Sequence, residues 1–216
     1  MAGIDRWLAR FWVNQRANVA LLLGRKGAAL ACYRELLALA PRDEVARSTL
    51  GNLLMETGDA AGAADQFEQL VAINPDNAEA WFNLGFIYEQ AERLDDAERC
   101  FRRAVALKPS IDRAWYGLGL VLIRAGRLRE AIAALKKNTQ LQPFSPYGFY
   151  QLAMTHHHLG DTGEAWRVYE HLKTFEPRYA ATLKRDMEKT PPRGQAASVS
   201  NDRPQSAVRE AIASAQ

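Results

Sequence analysis

The chain has 216 residues, 48% hydrophobic and 25% charged, with a formal charge of +3, a balance that fits one or two ordinary soluble domains. Residues 1–41 carry six Arg and Lys against Asp5 and Glu35, which is +4, so the remainder is −1; this excludes a polyanion-binding body and with it a nucleic-acid partner. Two cysteines are too few for a disulfide framework, and no apolar run approaches the ~20 residues that span a bilayer.

The first predicted element is an amphipathic helix over "IDRWLARFW". Ile4, Trp7, Leu8, Phe11 and Trp12 fall at i, i+3, i+4, i+7 and i+8, with Asp5, Arg6 and Arg10 off the stripe. Two readings stay open for it. As an extension over residues 1–9 it forms a lid whose stripe is buried on the following element, or it lies on a membrane surface or against a partner protein. "ANVALLLG" (Ala17–Gly24) is too short a hydrophobic core for a secretory leader and is followed at once by Arg25 and Lys26. A cytoplasmic location is therefore expected.

From here a period takes over. Prolines stand at Pro41, Pro75, Pro109, Pro143 and Pro177, 34 residues apart, and Ala29, Ala63, Ala97, Ala131 and Ala165 keep the same step. So do the small residues Ala17, Gly51, Gly85, Gly119 and Ala153, and the large ones Tyr33, Phe67, Phe101, Leu135 and Tyr169. Columns locked to one period over five copies predict a stacked array of identical supersecondary units. Counting from Ala78 as position 1, Trp81, Leu84, Gly85 and Tyr88 form one helical stripe, and Ala97, Phe101 and Ala104 a second. Gly at position 15 stops the first helix in Gly24, Gly58, Gly126 and Gly160, with Glu92 the exception, and Pro at position 32 ends the second.

The run Trp81, Leu84, Gly85, Tyr88, Ala97, Phe101, Pro109 resembles the tetratricopeptide repeat signature throughout. Asp112–Ser145 keeps most of it, Glu44–Asn77 and Pro146–Tyr179 match more loosely, and Arg10–Asp43 is degenerate, with Arg16 where Leu belongs. The resemblance covers residues 10–179 as five repeats (10–43, 44–77, 78–111, 112–145, 146–179). It implies an all-α, right-handed α-solenoid of stacked helix-turn-helix units with the N-terminal amphipathic helix at one end. Residues 180–189 read as a C-terminal capping helix with Leu183 and Met187 inward, and 190–216, rich in Pro, Ser, Gln and Ala, as a disordered tail.

No constellation for chemistry stands out. His156, His157 and His158 point about 100° apart on a helix and cannot share one ion, so no metal is expected. Cys32 and Cys100 occupy the same position two repeats apart, too far for a disulfide. Asp95 and Asp96 read as solvated helix-start residues. No phosphate loop, nucleophile–base pair or cofactor fingerprint is present, and neither an enzyme nor a cofactor is expected.

Function is therefore placed on the concave surface, which the family resemblance assigns to positions 2, 5, 9 and 12 of each first helix. Those positions hold Val45, Ser48, Asn52 and Met55, then Glu79, Phe82, Phe86 and Glu89, then Arg113, Tyr116, Leu120 and Ile123, and finally Tyr147, Tyr150, Met154 and His157. The aromatic members, Phe82, Phe86, Tyr116 and Tyr150, are expected to be wedged at the base and exposed at the tip. A carboxylate clamp of the kind some family members use would place Ser48, Asn52, Asn83, Arg113 and Gly117 at its five sites, lacking two of three cations; a partial anion contact through Arg113 remains. The expected role is a scaffold or adaptor holding a peptide or helix of another protein. A membrane-tethered assembly factor and a secretion-type cargo chaperone are the alternatives, although the latter have fewer repeats.

Overall fold

A computed structural model describes residues 2–190 and 192, with side chains from Asp5 onward, so Ile4's side chain and the expected tail beyond residue 192 lie outside the described residues. Among the described residues there are eleven α-helices and no strand: α1 (Ala2–Leu22), α2 (Lys26–Leu39), α3 (Glu44–Glu56), α4 (Ala60–Ile73), α5 (Ala78–Gln90), α6 (Leu94–Leu107), α7 (Asp112–Arg124), α8 (Leu128–Leu141), α9 (Pro146–Leu159), α10 (Thr162–Phe175) and α11 (Pro177–Lys189). First helices from α3 to α9 and second helices from α2 to α10 each begin 34 residues apart. The chain divides into two compact units, 1–121 and 122–216.

In unit 1 the columns of the repeat turn into contacts. A Cβ added at Gly51 would stand 2.8 Å from the Phe67 ring, and one at Gly85 would stand 2.9 Å from the Phe101 ring. Glycine at position 8 thus makes the hollow that receives the position-24 ring of its own repeat. Phe67 and Phe101 are almost wholly buried. Phe101 fills a second hollow as well, at Gly117, where a Cβ would lie 2.6 Å from its ring. Where position 8 is Ala, position 24 is Tyr (Ala17 with Tyr33, Ala153 with Tyr169).

The Trp and Pro columns are joined by a hydrogen bond. The indole of Trp81 donates to the Pro75 carbonyl and that of Trp115 to the Pro109 carbonyl, both at 2.8 Å. These carbonyls sit just past a helix end, where the chain leaves acceptors unmet. Arg47 occupies the Trp position in α3 and does the same job, donating to the Pro41 carbonyl at 2.6 Å. Its buried guanidinium also donates to Gln66 and Gln69.

The first helices stop on left-handed residues. Gly24, Gly58, Gly126 and Gly160 have φ between +65° and +91°, and Glu92 takes φ +60° in the same place. Only glycine enters that region without a steric cost of about 1–2 kcal/mol.

Unit 2 is closed by α11, which begins at Pro177, three residues before the expected capping helix. Proline lacks the donor that a first helical position leaves unused anyway, so the residue that ends α10 also starts α11. Ala180, Leu183 and Met187 of α11 join Phe149, Ala153, Tyr169 and Leu172 in one buried cluster.

Three outcomes follow from these contacts. Gly85→Val drives a branched side chain into the Phe101 ring and costs about 2 kcal/mol by urea denaturation. Glu92→Gly relieves the left-handed strain and adds about 1 kcal/mol in the same assay. Burial pushes the Cys100 thiol from 9.0 up to about 12. The unfolded thiol ionises above pH 9 while the folded one keeps its proton, so the unfolded state binds fewer protons and stability falls from pH 9 upward. Cys100→Ala flattens the first part of that decline.

Candidate functional site

The expected concave residues of unit 1 come from α3, α5 and α7, each aimed outward by the stripe that its helix buries on the opposite side. Val45 is 75% and Phe86 41% exposed. Asn52, Glu79 and Arg113 are also exposed, and Ser48, Met55, Asn83, Glu89, Tyr116 and Leu120 are half-buried. Phe82 departs from expectation. It is buried, with its ring 6.1 Å from Phe101 and its outer face covered by the Arg113 guanidinium 4.7 Å from the ring centroid. The ring is therefore no exposed anchor; it is the platform on which Arg113 rests.

Between these helices lies a recess of about 430 Å³ floored by Phe67 and Leu70. Ser48, Asn52, Asn83 and Arg113, which the clamp comparison singled out separately, all line it. Glu79 lines it too and pairs with Lys108 at 3.0 Å. Asn77 is occupied as the cap of α5, accepting from the Ala80 amide at 3.0 Å. Side-chain amides offer both donors and acceptors, and so match peptide backbone, while Arg113 supplies a fixed positive end.

A second recess, of about 570 Å³, lies among α1, α2 and α3 and is lined by Phe11, Asn14, Asn18 and Val45, with Trp7 at its rim. Sequence reasoning read Phe11 as part of the amphipathic stripe and passed over Asn14 and Asn18. Shifting Asn52 back by 34 residues leads to Asn18, the signal that would have found it. Arg10 and Asp43 close one side of this recess through a 3.2 Å ion pair.

Unit 2 changes the expectation more. Its concave candidates on α9 are covered by the chain's own α11. Tyr150 donates to the Asp186 carboxylate at 2.7 Å and meets the Tyr179 ring edge-on at 5.7 Å. Burial first, and then that hydrogen bond, push its phenol up to about 12. Met154 packs against the Leu183 and Met187 cluster, and the buried His157 ring nitrogen lies 2.5 Å from the Thr190 carbonyl. Tyr147 keeps 58% exposure with one edge against Tyr179. Tyr150, Met154 and His157 are thus cap contacts, because α11 takes the place that a further first helix would occupy. Ile123 is half-buried.

The amphipathic stripe is open. Trp7 and Trp12 are 62% and 63% exposed, and Leu8 and Phe11 are more than one-third exposed. Residues 1–9 do not fold back as a lid; they continue the first helix of repeat one. The buried side of α1 is instead Val13, Ala17 and Ala20.

His156 is buried with neither ring nitrogen in a hydrogen bond, and the Asp161 carboxylate stands 3.4 Å from its Nδ1. Among the described residues no three His, Cys, Asp or Glu side chains converge as metal ligands, and no helix is long and apolar enough to cross a membrane.

Comparison with known proteins agrees with this architecture. Residues 6–143 match the family described as Cilia and flagella-associated protein 70 C-terminal domain, a tetratricopeptide-type profile, and residues 146–171 match Tetratricopeptide repeat. No curated protein matches the chain by sequence. Among solved structures, MamA is 22% identical with a TM-score of 0.73, over 80% of this chain and 94% of that one. A MamA from Desulfovibrio magneticus RS-1 is 21% identical with a TM-score of 0.72, over 78% and 96%. YrrB, described as a TPR protein with an unusual peptide-binding site, is 23% identical with a TM-score of 0.69, over 78% and 88%. At these identities the likeness is one of fold. The 34-residue period, the Gly–Phe and Trp–Pro contacts and the family match together make this chain a member of the tetratricopeptide repeat family, an all-α solenoid of stacked helical hairpins.

Proposed function

We propose that this protein is a non-catalytic scaffold that holds a segment of another protein along the open face of unit 1. The observation that carries the reading is the recess of α3, α5 and α7, where Asn52, Asn83 and Ser48 stand around Arg113 beside the exposed Phe86. Amide side chains suit the backbone of an extended segment, Phe86 offers an apolar contact, and Arg113 suits an acidic side chain or a chain terminus. The peptide site in YrrB's description supports the same class of role. The site proposed here is narrower than the sequence implied, since the α9 residues are taken by α11. A cytoplasmic setting goes with it, supported by two buried free thiols at Cys32 and Cys100.

A membrane-tethered role draws support from the bare Trp7 and Trp12 but not from charge. Arg6, Arg10 and Arg16 are each turned inward to a partner within the chain, so little is left on α1 to meet an anionic surface.

The test is peptide selection on the immobilised full-length chain, followed by fluorescence anisotropy of the selected peptide. Single-site affinity should be micromolar, about 8 kcal/mol. The pair Asn52→Ala and Asn83→Ala, and separately Phe86→Ala, should each weaken binding at least tenfold, with far-UV circular dichroism unchanged. Equal affinity in both variants removes this face from the proposal.

A further inference from the structure

The exposed side of α1 remains unexplained by a groove. Opposite the buried Val13, Ala17 and Ala20, the helix presents Trp7, Leu8, Phe11, Val19, Leu22 and Leu23 along its length, with Leu22 86% exposed. Twenty-one residues make a rod about 31 Å long. Its arginines are engaged elsewhere: Arg6 donates to the Leu39 carbonyl at 2.9 Å, and Arg10 and Arg16 pair with Asp43 and Glu35. The outward face is therefore apolar and nearly uncharged, a poor match for an anionic lipid surface or a charged peptide.

The order of residues on this face has a symmetry of its own. Turned end for end about Gln15, Trp7 falls opposite Leu23, Leu8 opposite Leu22, and Phe11 opposite Val19. Every large apolar side chain on one half meets a complementary one from the other half. Gln15 meets itself, and a primary amide can both donate to and accept from its own copy. A surface that matches itself after a half-turn is what a two-fold contact requires. Beside the helix, α1 and α2 form an apolar groove of about 550 Å³ between Trp12, Val19 and Leu23, floored by the small Ala28 and Ala31. Trp7 of a second copy, lying opposite Leu23, arrives at the mouth of that groove, so one face supplies both the projection and the recess.

The area is sufficient. Bare aromatic side chains present on the order of 150–250 Å² each, and at their observed exposures the residues of this face leave roughly 800 Å² per copy. Two copies then bury roughly 1,600 Å², the standard size of a specific protein interface.

We infer that α1 is the contact of a symmetric homodimer, in which the helices of two copies pack antiparallel about a two-fold axis at Gln15. The interface is independent of the recess of α3, α5 and α7, and neither depends on the other's occupant.

Sedimentation velocity on the full-length chain, from about 1 to 100 µM, should show a species of twice 24.2 kDa. Leu22→Glu, at a position too exposed to affect folding, should leave helicity intact and weaken the dimer at least tenfold. Trp7→Glu should do the same and serves as the second variant. Gln15→Cys, with Cys32 and Cys100 buried, should give a disulfide-linked dimer on mild oxidation, since the axis sets residue 15 against its own copy. A 24.2 kDa species at every concentration overturns the proposal. So does a dimer indifferent to Leu22→Glu and Trp7→Glu, a dimer that Gln15→Cys fails to cross-link, or a monomer that floats with phosphatidylcholine or phosphatidylserine vesicles instead of self-associating.

Discussion

The structure depends on a ring entering a backbone hollow. Phe67 sits where Gly51 has no side chain and Phe101 where Gly85 has none, so the two helices of a repeat approach to a distance that any Cβ at position 8 would increase. That spacing sets the tilt at which each first helix meets its neighbour, and so decides which residues are left facing outward. Phe101 acts on both sides, against Gly85 in its own repeat and against Gly117 in the next. One ring thus fixes both the width of a hairpin and the seat of the hairpin that follows. The recess around Arg113 inherits its shape from this arrangement, because Phe82, on which Arg113 rests, is itself held by Phe101.

Much of this was legible in the residue order because each repeat uses the same contacts again. A glycine and an aromatic sixteen residues apart, or a proline and a tryptophan six apart, recur at a fixed step, and recurrence turns weak local preferences into a strong signal. Features made once carry no such signal. The bond from Tyr150 to Asp186 and the meeting of His157 with Thr190 each join residues more than thirty apart and have no counterpart elsewhere in the chain. Nothing periodic in the sequence distinguished an open α9 from a covered one. Phe82 was misjudged for a related reason: its position in the repeat is open in general, but Arg113 one repeat later lies across it.

The N-terminal helix shows a different limit. A stripe of large apolar residues marks the buried side of an ordinary amphipathic helix, yet α1 buries its small residues and turns the large ones out. The repeat demands small side chains where two helices come close, and α1 must obey that demand first. Its bulky residues are consequently left for use by something else, which is why amphipathicity alone pointed to the wrong side of the helix. The two ends of the chain are finished in opposite ways, one by a helix that covers and one by a helix that displays.

Arg47 carries a consequence beyond its own repeat. Tryptophan and arginine have little in common by size or polarity, but at this position both reach back six residues to give a hydrogen to a proline carbonyl. Their codons can differ by a single base, so the exchange needs no intermediate that breaks the bond. A lineage of such arrays can therefore drift away from its signature residue while the joint between successive hairpins stays intact. Members that look degenerate by spelling, as the second repeat does here, can still be mechanically whole.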